Sequence, residues 1–430
     1  MARLTVLLAT ILIIAMGGSA GSAAAADEDE GAAPTGSAEA LLAALARVPD
    51  SPAARGSTIS YLDQKAATRA RPGAAQPESM AELEALLGSD DLSASLWLAA
   101  MQGASSGDLD ILQGFGSADR WPGELGFDLL DIDQHLTFGE PPSDGSVLLG
   151  GFDPPSIVAA FTERGYTASP AGARTSLCGA VGCEEGQRVD ISKADRGLPF
   201  GAALGRSEPL VVSERDILSS ADLGTLTAMV AAADDDVPAM ADDPSYHAIA
   251  VAVDPTVTLI QATLLPGGML DVGPEIYGLL SDSPEEAGRL VVEPDELFEP
   301  MPAPGLLGIL DGATETEQVV ILALAYTDEA DAAVATEVLP RRLETLPTLS
   351  AGALSELLAE RGVTSVVGRV VPPGDETAPL AVVELRAPLA SPEPTADGGR
   401  PASSSHLYRL FVDLAFRRDL LWLVPVLPLE

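Results

Sequence analysis

The sequence predicts an α+β protein: an N-terminal helical segment followed by two βαββαβ lobes of the ferredoxin-like kind, the order an internal duplication leaves behind. Three observations predict it. Apolar residues recur at helical spacing between Ser37 and Gly103. The order strand, helix, two strands, helix, strand can be followed from Gly145 and again from Gln318. Apolar residues make up 47% of the chain and aromatics only 4%, so packed cores are expected and must be built from Ala, Val, Leu and Ile. Two unrelated α+β lobes that alternate in the same order are the competing reading.

Residues 1–26, MARLTVLLATILIIAMGGSAGSAAAA, combine a basic start at Arg3, an apolar run from Leu4 to Met16 and a small-residue tail ending at Ala26. These are the three parts of a secretory signal peptide, so the mature chain is expected to begin at Asp27. The run is shorter than the ~20 apolar residues that span a bilayer. Residues 27–36 read as a disordered acidic leader. In the mainly helical segment 37–144, Ser37 is a candidate cap for AEALLAALARV, and PESMAELEALL and DDLSASLWLAAM repeat the helical spacing. STISYL is a candidate short strand, and the Gly- and Asp-rich stretch from Ser105 reads as short helices and loops.

The first lobe, 145–264, opens with a strand, Val147 to Phe152, and a helix for which Asp153 is the cap, Pro154 the first position and Gly165 the stop. Two extended stretches flanking a Cys loop follow, then PLVVS, a helix opened by Ser213 or Ser220 that runs through LTAMVAAA, and a strand YHAIAVAV. Residues 265–317 read as a linker, with a tight turn at Gly267-Gly268. The second lobe, 318–430, begins with the apolar run QVVILALAYT and a helix capped by Thr327, which Pro340 should kink or split. AGALSELLAERG, a hairpin from VTSVVGRVV to LAVVELRA, a helix HLYRLFVDLAF and a closing strand DLLWLVPV complete it.

A formal charge of -40, from 64 acidic and 24 basic residues, argues against nucleic acid and anionic membranes, because each phosphate contact needs a basic side chain. Cys178 and Cys183 are the two cysteines. In an exported chain an isolated pair separated by four small residues reads as a disulfide that closes a hairpin tip and pins a turn; a redox pair and a metal site are the alternatives.

At GGFDPPSIVAAFTERGY the chain resembles exported or lipid-anchored bacterial proteins of unknown function, in which a strand ends in Gly-x-Phe-Asp, a helix follows, and the helix ends in Gly-Tyr. ILALAYTDEADAAVATEVLPRRL also looks like their later strand and acid-started helix. The resemblance spans roughly residues 120–345. It implies a fold and no activity.

Catalytic chemistry is thinly supplied. His135, His247 and His406 are the imidazoles, and no Gly-x-Ser-x-Gly elbow, His-Glu-x-x-His pair, Ser-x-x-Lys box or phosphate-cradling glycine loop occurs in the mature chain. Asp128, Asp131 and Asp133 precede His135, and Asp234, Asp235 and Asp236 end a helix, with Asp242 and Asp243 beyond. Acids at a helix C-terminus oppose its dipole, so solvent must screen them or a cation offset them; Asp234, Asp235 and Asp236 are weak cation candidates, and no other metal or cofactor site is expected. The expectation is an exported, acidic binding or cell-envelope protein without catalytic activity, acting on an unidentified extracellular or envelope ligand. The alternative is a secreted hydrolase whose site assembles between the lobes, which would bring a His beside an acid and a hydroxyl in a cleft.

Overall fold

In the computed structural model, described over residues 35–71, 73–87, 93, 97, 115–270, 298–349, 352–374, 376–389 and 405–423, twelve strands join into one sheet. In chain order they are β1 (Ile59–Asp63), β2 (Ile132–Phe138), β3 (Gly145–Gly150), β4 (Thr167–Ala171), β5 (Arg174–Cys178), β6 (Leu210–Val212), β7 (Asp216–Ser219), β8 (Thr258–Pro266), β9 (Leu306–Ala313), β10 (Glu317–Ala325), β11 (Ser365–Val371) and β12 (Leu380–Pro388). Their order across the sheet is β11-β12-β10-β9-β8-β1-β2-β3-β7-β6-β5-β4. All neighbours run antiparallel. The main helices are α1 (Ala38–Leu45), α2 (Gln64–Arg69), α3 (Met80–Leu87), α4 (Pro154–Glu163), α5 (Leu223–Ala233), α6 (Pro244–Val251), α7 (Glu329–Thr345), α8 (Leu354–Glu360) and α9 (His406–Phe416).

The sheet has two halves that meet where β1 pairs with β8. Each half begins as a three-strand meander, β1-β2-β3 or β8-β9-β10. The chain then leaves through a helix, α4 or α7, and comes back with a hairpin, β6-β7 or β11-β12, whose second strand lies beside the third meander strand. Three apolar clusters cover this sheet. One face, with Tyr61, Leu136, Val147, Leu264 and Ile321, packs under α1, α5 and α6. On the opposite face Leu62, Leu148 and Ile217 pack with Trp121, Ile157 and Phe161, while Leu307, Ile309 and Leu322 pack with α7, α8 and α9.

An α+β fold is therefore present, but its strand order is not ferredoxin-like. In a ferredoxin-like unit the last strand returns beside the first, whereas here the place beside β3 is taken by β2 and the place beside β10 by β9, each of which precedes it in the chain. Nor do the described residues of 145–264 and 318–430 form separate lobes, because β8 carries pairing from β1 to β9 and so joins the two into one sheet. YHAIAVAV is helical: Pro244 occupies the first helical position and the Asp243 carboxylate accepts the Ser245 and Tyr246 amides at 2.9 and 3.4 Å, which starts α6. The described part of the linker holds β9, whose eight residues are all buried. Within DLLWLVPV only a 3-10 turn, Leu421–Leu423, is described, and residues 424–430 lie outside the described residues. So do the signal peptide, nearly all of the acidic leader and most of DDLSASLWLAAM.

Smaller differences have equally local causes. The caps are Asp222 for α5 and Asp328 for α7, each accepting a backbone amide, in place of Ser213 or Ser220 and Thr327. The helix through Pro340 is continuous. Strand β2 occupies part of the stretch read as short helices and loops, and Gly267–Leu270 forms one helical turn rather than a tight turn. The strand of Gly145, the helix after it, the hairpin and α9 lie where the periodicity placed them.

Candidate functional site

Cross-strand register assembles a row of hydroxyl side chains that no local stretch of sequence contains. Thr263 faces Ser60, Ser60 faces Thr137, Thr137 faces Ser146, and Ser146 faces Ser219, so five adjacent strands each place one hydroxyl residue in line. Directly opposed residues lie on the same side of a sheet. Leu62, Leu148 and Ile217, two positions along the strands, belong to that same side.

Above Ser60, Thr137, Ser146 and Ser219 lies a cavity of about 650 Å³, within the size range of small-molecule sites. Phe200, Leu204, Met269 and Phe416 supply apolar wall, and Glu140, Asp144, Arg206 and Glu208 are its charged residues. Thr263 ends the row under α9, where its hydroxyl lies 2.6 Å from the Tyr408 hydroxyl. The hydroxyls of Ser60 and Thr137, in contrast, have no side-chain partner among the described residues. Phe200 takes a left-handed backbone, φ 61, beside Gly201 at φ 68; a bulky residue rarely adopts it, and packing against Phe127 and Phe161 holds it there. At the turn from β2 into the loop, Gly139 has φ 83, and a Cβ there would approach the Ser143 carbonyl oxygen to 2.4 Å.

His135 lies beside this floor, facing Leu62 and Leu148 on the same side of the sheet. It is buried, its Nε2 is 3.1 Å from Ser146 Oγ, and its Nδ1 has no partner among the described residues. Burial pushes the imidazole down to about 3, so it is neutral at any ordinary pH. Of its two neutral tautomers, Nε2–H donates to Ser146 and leaves a bare acceptor at Nδ1, whereas Nδ1–H would leave a buried donor unpaired. Unpaired buried N–H groups are the rarer and costlier case, which selects Nε2–H and leaves the Ser146 hydrogen free to point into the cavity.

Two of the buried carboxylates in the sheet, Asp311 and Asp63, have a pKa raised by their burial. Asp311 is fully buried and accepts from Gln261 Nε2 at 2.8 Å and Gln318 Nε2 at 2.9 Å. Asp63 accepts the amides of Ala66 at 2.7 Å and Gly36 at 2.8 Å, which starts α2 and ties the chain entry to the sheet. Burial outweighs these bonds and pushes each carboxyl up to about 6.

The residues singled out from sequence are dispersed. His247 lies in α6; His406 opens α9 with Nε2 3.1 Å from the Arg361 carbonyl oxygen. Asp128 and Asp131 cap one another's turn through the Leu130 and Asp128 amides, and Asp133 pairs with Lys65 at 2.7 Å. Asp234 caps the end of α5 and pairs with Arg174, which also bonds Asp216, while Asp235 has φ 59. Among the described residues no group of three or more His, Cys, Asp or Glu is placed to hold a metal ion. Cys178 and Cys183 are joined in a disulfide, which follows β5 rather than tipping the β4-β5 hairpin. No described helix is long and apolar enough to cross a membrane.

No family model and no curated protein matches the chain. Among solved structures it is similar to TP0453 in crystal form I, with a TM-score of 0.30 at 10% identity, covering 86% of this chain and 97% of that one. Crystal form III of TP0453 is matched with a TM-score of 0.29 at 9% identity, covering 86% and 98%.

Proposed function

We propose that the chain is an exported, acidic binding protein of the envelope or extracellular space, and that the hydroxyl-floored cavity is its binding site. The observation that carries this reading is the state of the His135 and Ser146 pair. A general base must take the serine proton, and that requires an imidazole free at Nε2 with a titration near the working pH. The tautomer that burial favours puts the hydrogen of His135 at Nε2, burial holds the ring down to about 3, and Nδ1 has no partner among the described residues. What remains is a buried ring that sets the hydrogen direction of a floor hydroxyl, which suits binding rather than turnover.

The hydrolase reading keeps one observation, a histidine beside a cavity hydroxyl. Short-chain p-nitrophenyl esters separate the two readings. The wild type should show no turnover above an Ser146→Ala, His135→Ala double variant, and turnover lost in that variant would refute the binding reading. Export itself is supported by the segment before Asp27, and intact mass of protein recovered outside the cell should correspond to a start at Asp27. The matching order of the two half sheets supports an internal duplication whose unit is meander, helix and hairpin. Exposed acids around Asp235 and Asp236 are expected to hold cations only diffusely, because Asp234 is already engaged by Arg174.

A further inference from the structure

We propose that the cavity takes a neutral saccharide, with sugar hydroxyls on the row Ser60, Thr137 and Ser146 and a C–H face of the ring against Phe416 and Phe200. This deepens the binding reading and rests on it.

Charge removes the anionic ligands first. Among the described residues four charged ones line the cavity, three of them acids, and the cation, Arg206, lies 3.8 Å from Glu208, so this part of the wall has a net charge of −2 and no free positive group for a phosphate, sulfate or carboxylate. The floor removes hydrocarbons next. An alkyl ligand would strip water from Ser60 and Thr137, whose hydroxyls have no side-chain partner among the described residues, and would offer nothing in return. A compact cation would be drawn to carboxylates, but Glu208 is occupied by Arg206 and the floor itself is uncharged.

A saccharide fits what is left. Each serine or threonine hydroxyl can donate once and accept twice, as each sugar hydroxyl can, so the two surfaces pair in either direction. Neighbouring strands are about 4.8 Å apart, which spaces the rungs within the span of one pyranose ring and continues along the sheet toward a second. His135 fixes one rung: with Nε2–H given to Ser146, the serine hydrogen is presented outward as a donor. The aromatic rings meet the other demand, because the C–H edges of a sugar carry partial positive charge and favour the negative face of a ring. Phe416, at the end of a helix whose other apolar residues are buried, is 53% exposed, and Phe200 is held in its left-handed conformation at the wall.

Titration calorimetry of the mature full-length chain with maltose, trehalose, cellobiose and N,N′-diacetylchitobiose tests the proposal, with dodecanoate and spermine as contrasting probes. At least one of the sugars should bind, with an affinity that is flat between low and moderate salt. Thr137→Val and Phe416→Ala should each weaken it at least tenfold while leaving the unliganded melting temperature within about two degrees, and Thr137→Ser should restore it. Sugar binding that ignores both variants overturns the proposal, as does the absence of binding by all four sugars. Dodecanoate or spermine binding that depends on Thr137 also overturns the saccharide, yet leaves the cavity as the binding site. Ester turnover that depends on His135 instead overturns the underlying reading.

Discussion

The two halves of the sheet follow one chain order and are covered differently. Over β8, β9, β10 and β12 the helices α7 to α9 close directly on the strands, and Phe411 meets Trp422 edge to face at 5.4 Å. Over β1, β2, β3 and β7 the corresponding face is apolar only in part, and beyond Leu62, Leu148 and Ile217 it turns to hydroxyls beneath a cavity. The row of hydroxyls crosses the boundary, which makes the contrast informative. Thr263, its member under α9, is bonded by Tyr408, while Ser60 and Thr137 are left for whatever enters. A hydroxyl row that was merely structural would be covered along its whole length.

The largest expected effect compares two phenylalanines of one helix. Phe411→Ala should cost roughly 3–5 kcal/mol in urea unfolding, because a fully buried ring leaves a cavity in the covered half. Phe416→Ala, at the rim of the other half, should stay within about 0.5 kcal/mol. Equal losses would make the cavity wall part of the core and erase the distinction.

Next comes Asp311, on the covered side. Its carboxyl is raised to about 6 in the folded state, above the ordinary value of 3.8, so the folded chain binds the extra proton. Stability from this group is therefore fully present below about pH 4 and is lost as pH rises to about 6, the reverse of a salt-bridged aspartate. Asp311→Asn should remove that slope and stabilise the chain by about 2–3 kcal/mol at pH 7.5. The amide can be accommodated: Gln261 Oε1 and Gln318 Oε1 have no partner among the described residues, so either side chain can turn to receive it. An unchanged slope would place the titration elsewhere, Asp63 being the other carboxyl raised to about 6.

How much of this was legible in the sequence follows from which contacts are local. Pro154, Ile157, Phe161 and Gly165 specify a helix within a dozen residues, and that helix is present; Asp153 holds its N-cap position but accepts no backbone amide, its carboxylate taking the Ser156 hydroxyl instead. Asp243 and Pro244 are as clear a start signal, yet the Ala- and Val-rich run after them reads equally as a strand when the cap is overlooked. Strand β9 was hidden because LLGILDGA contains Asp311, and nothing nearby reveals that Gln261 and Gln318 arrive from neighbouring strands to pair it. The candidate site was invisible for the same reason. Ser60, Thr137, Ser146, Ser219 and Thr263 are ordinary residues until the register aligns them, and His135 gains meaning only from Ser146, eleven residues away on the next strand.

A smaller effect tests the row across the boundary. Thr263→Val removes the bond to Tyr408 and should cost about 1 kcal/mol, whereas Thr137→Val, whose hydroxyl has no side-chain partner among the described residues, should change stability by less than about 0.5 kcal/mol. If both changes are equally costly, the row is covered throughout.

The smallest expected effect asks whether the acids distinguish the halves. A charge of -40 repels itself in the compact state, and at 0.1 M salt the screening length is about 10 Å, so added NaCl should raise the melting temperature gradually. Asp234, Asp235 and Asp236 follow α5, which packs on β6 and β7, so a specific cation there would protect the cavity half alone. Hydrogen exchange resolves this by location. With NaCl or CaCl2 at matched ionic strength, amides of β5 to β7 and of β10 to β12 should slow by similar factors, because diffuse screening acts on the whole chain. Micromolar CaCl2 that slows β5 to β7 selectively, and saturates, would identify a bound ion, since a ligand of the folded state stabilises with the logarithm of its concentration above its dissociation constant. The Arg174 pair makes that outcome unfavourable: a cation reaching Asp234 must displace a guanidinium that also holds the buried Asp216.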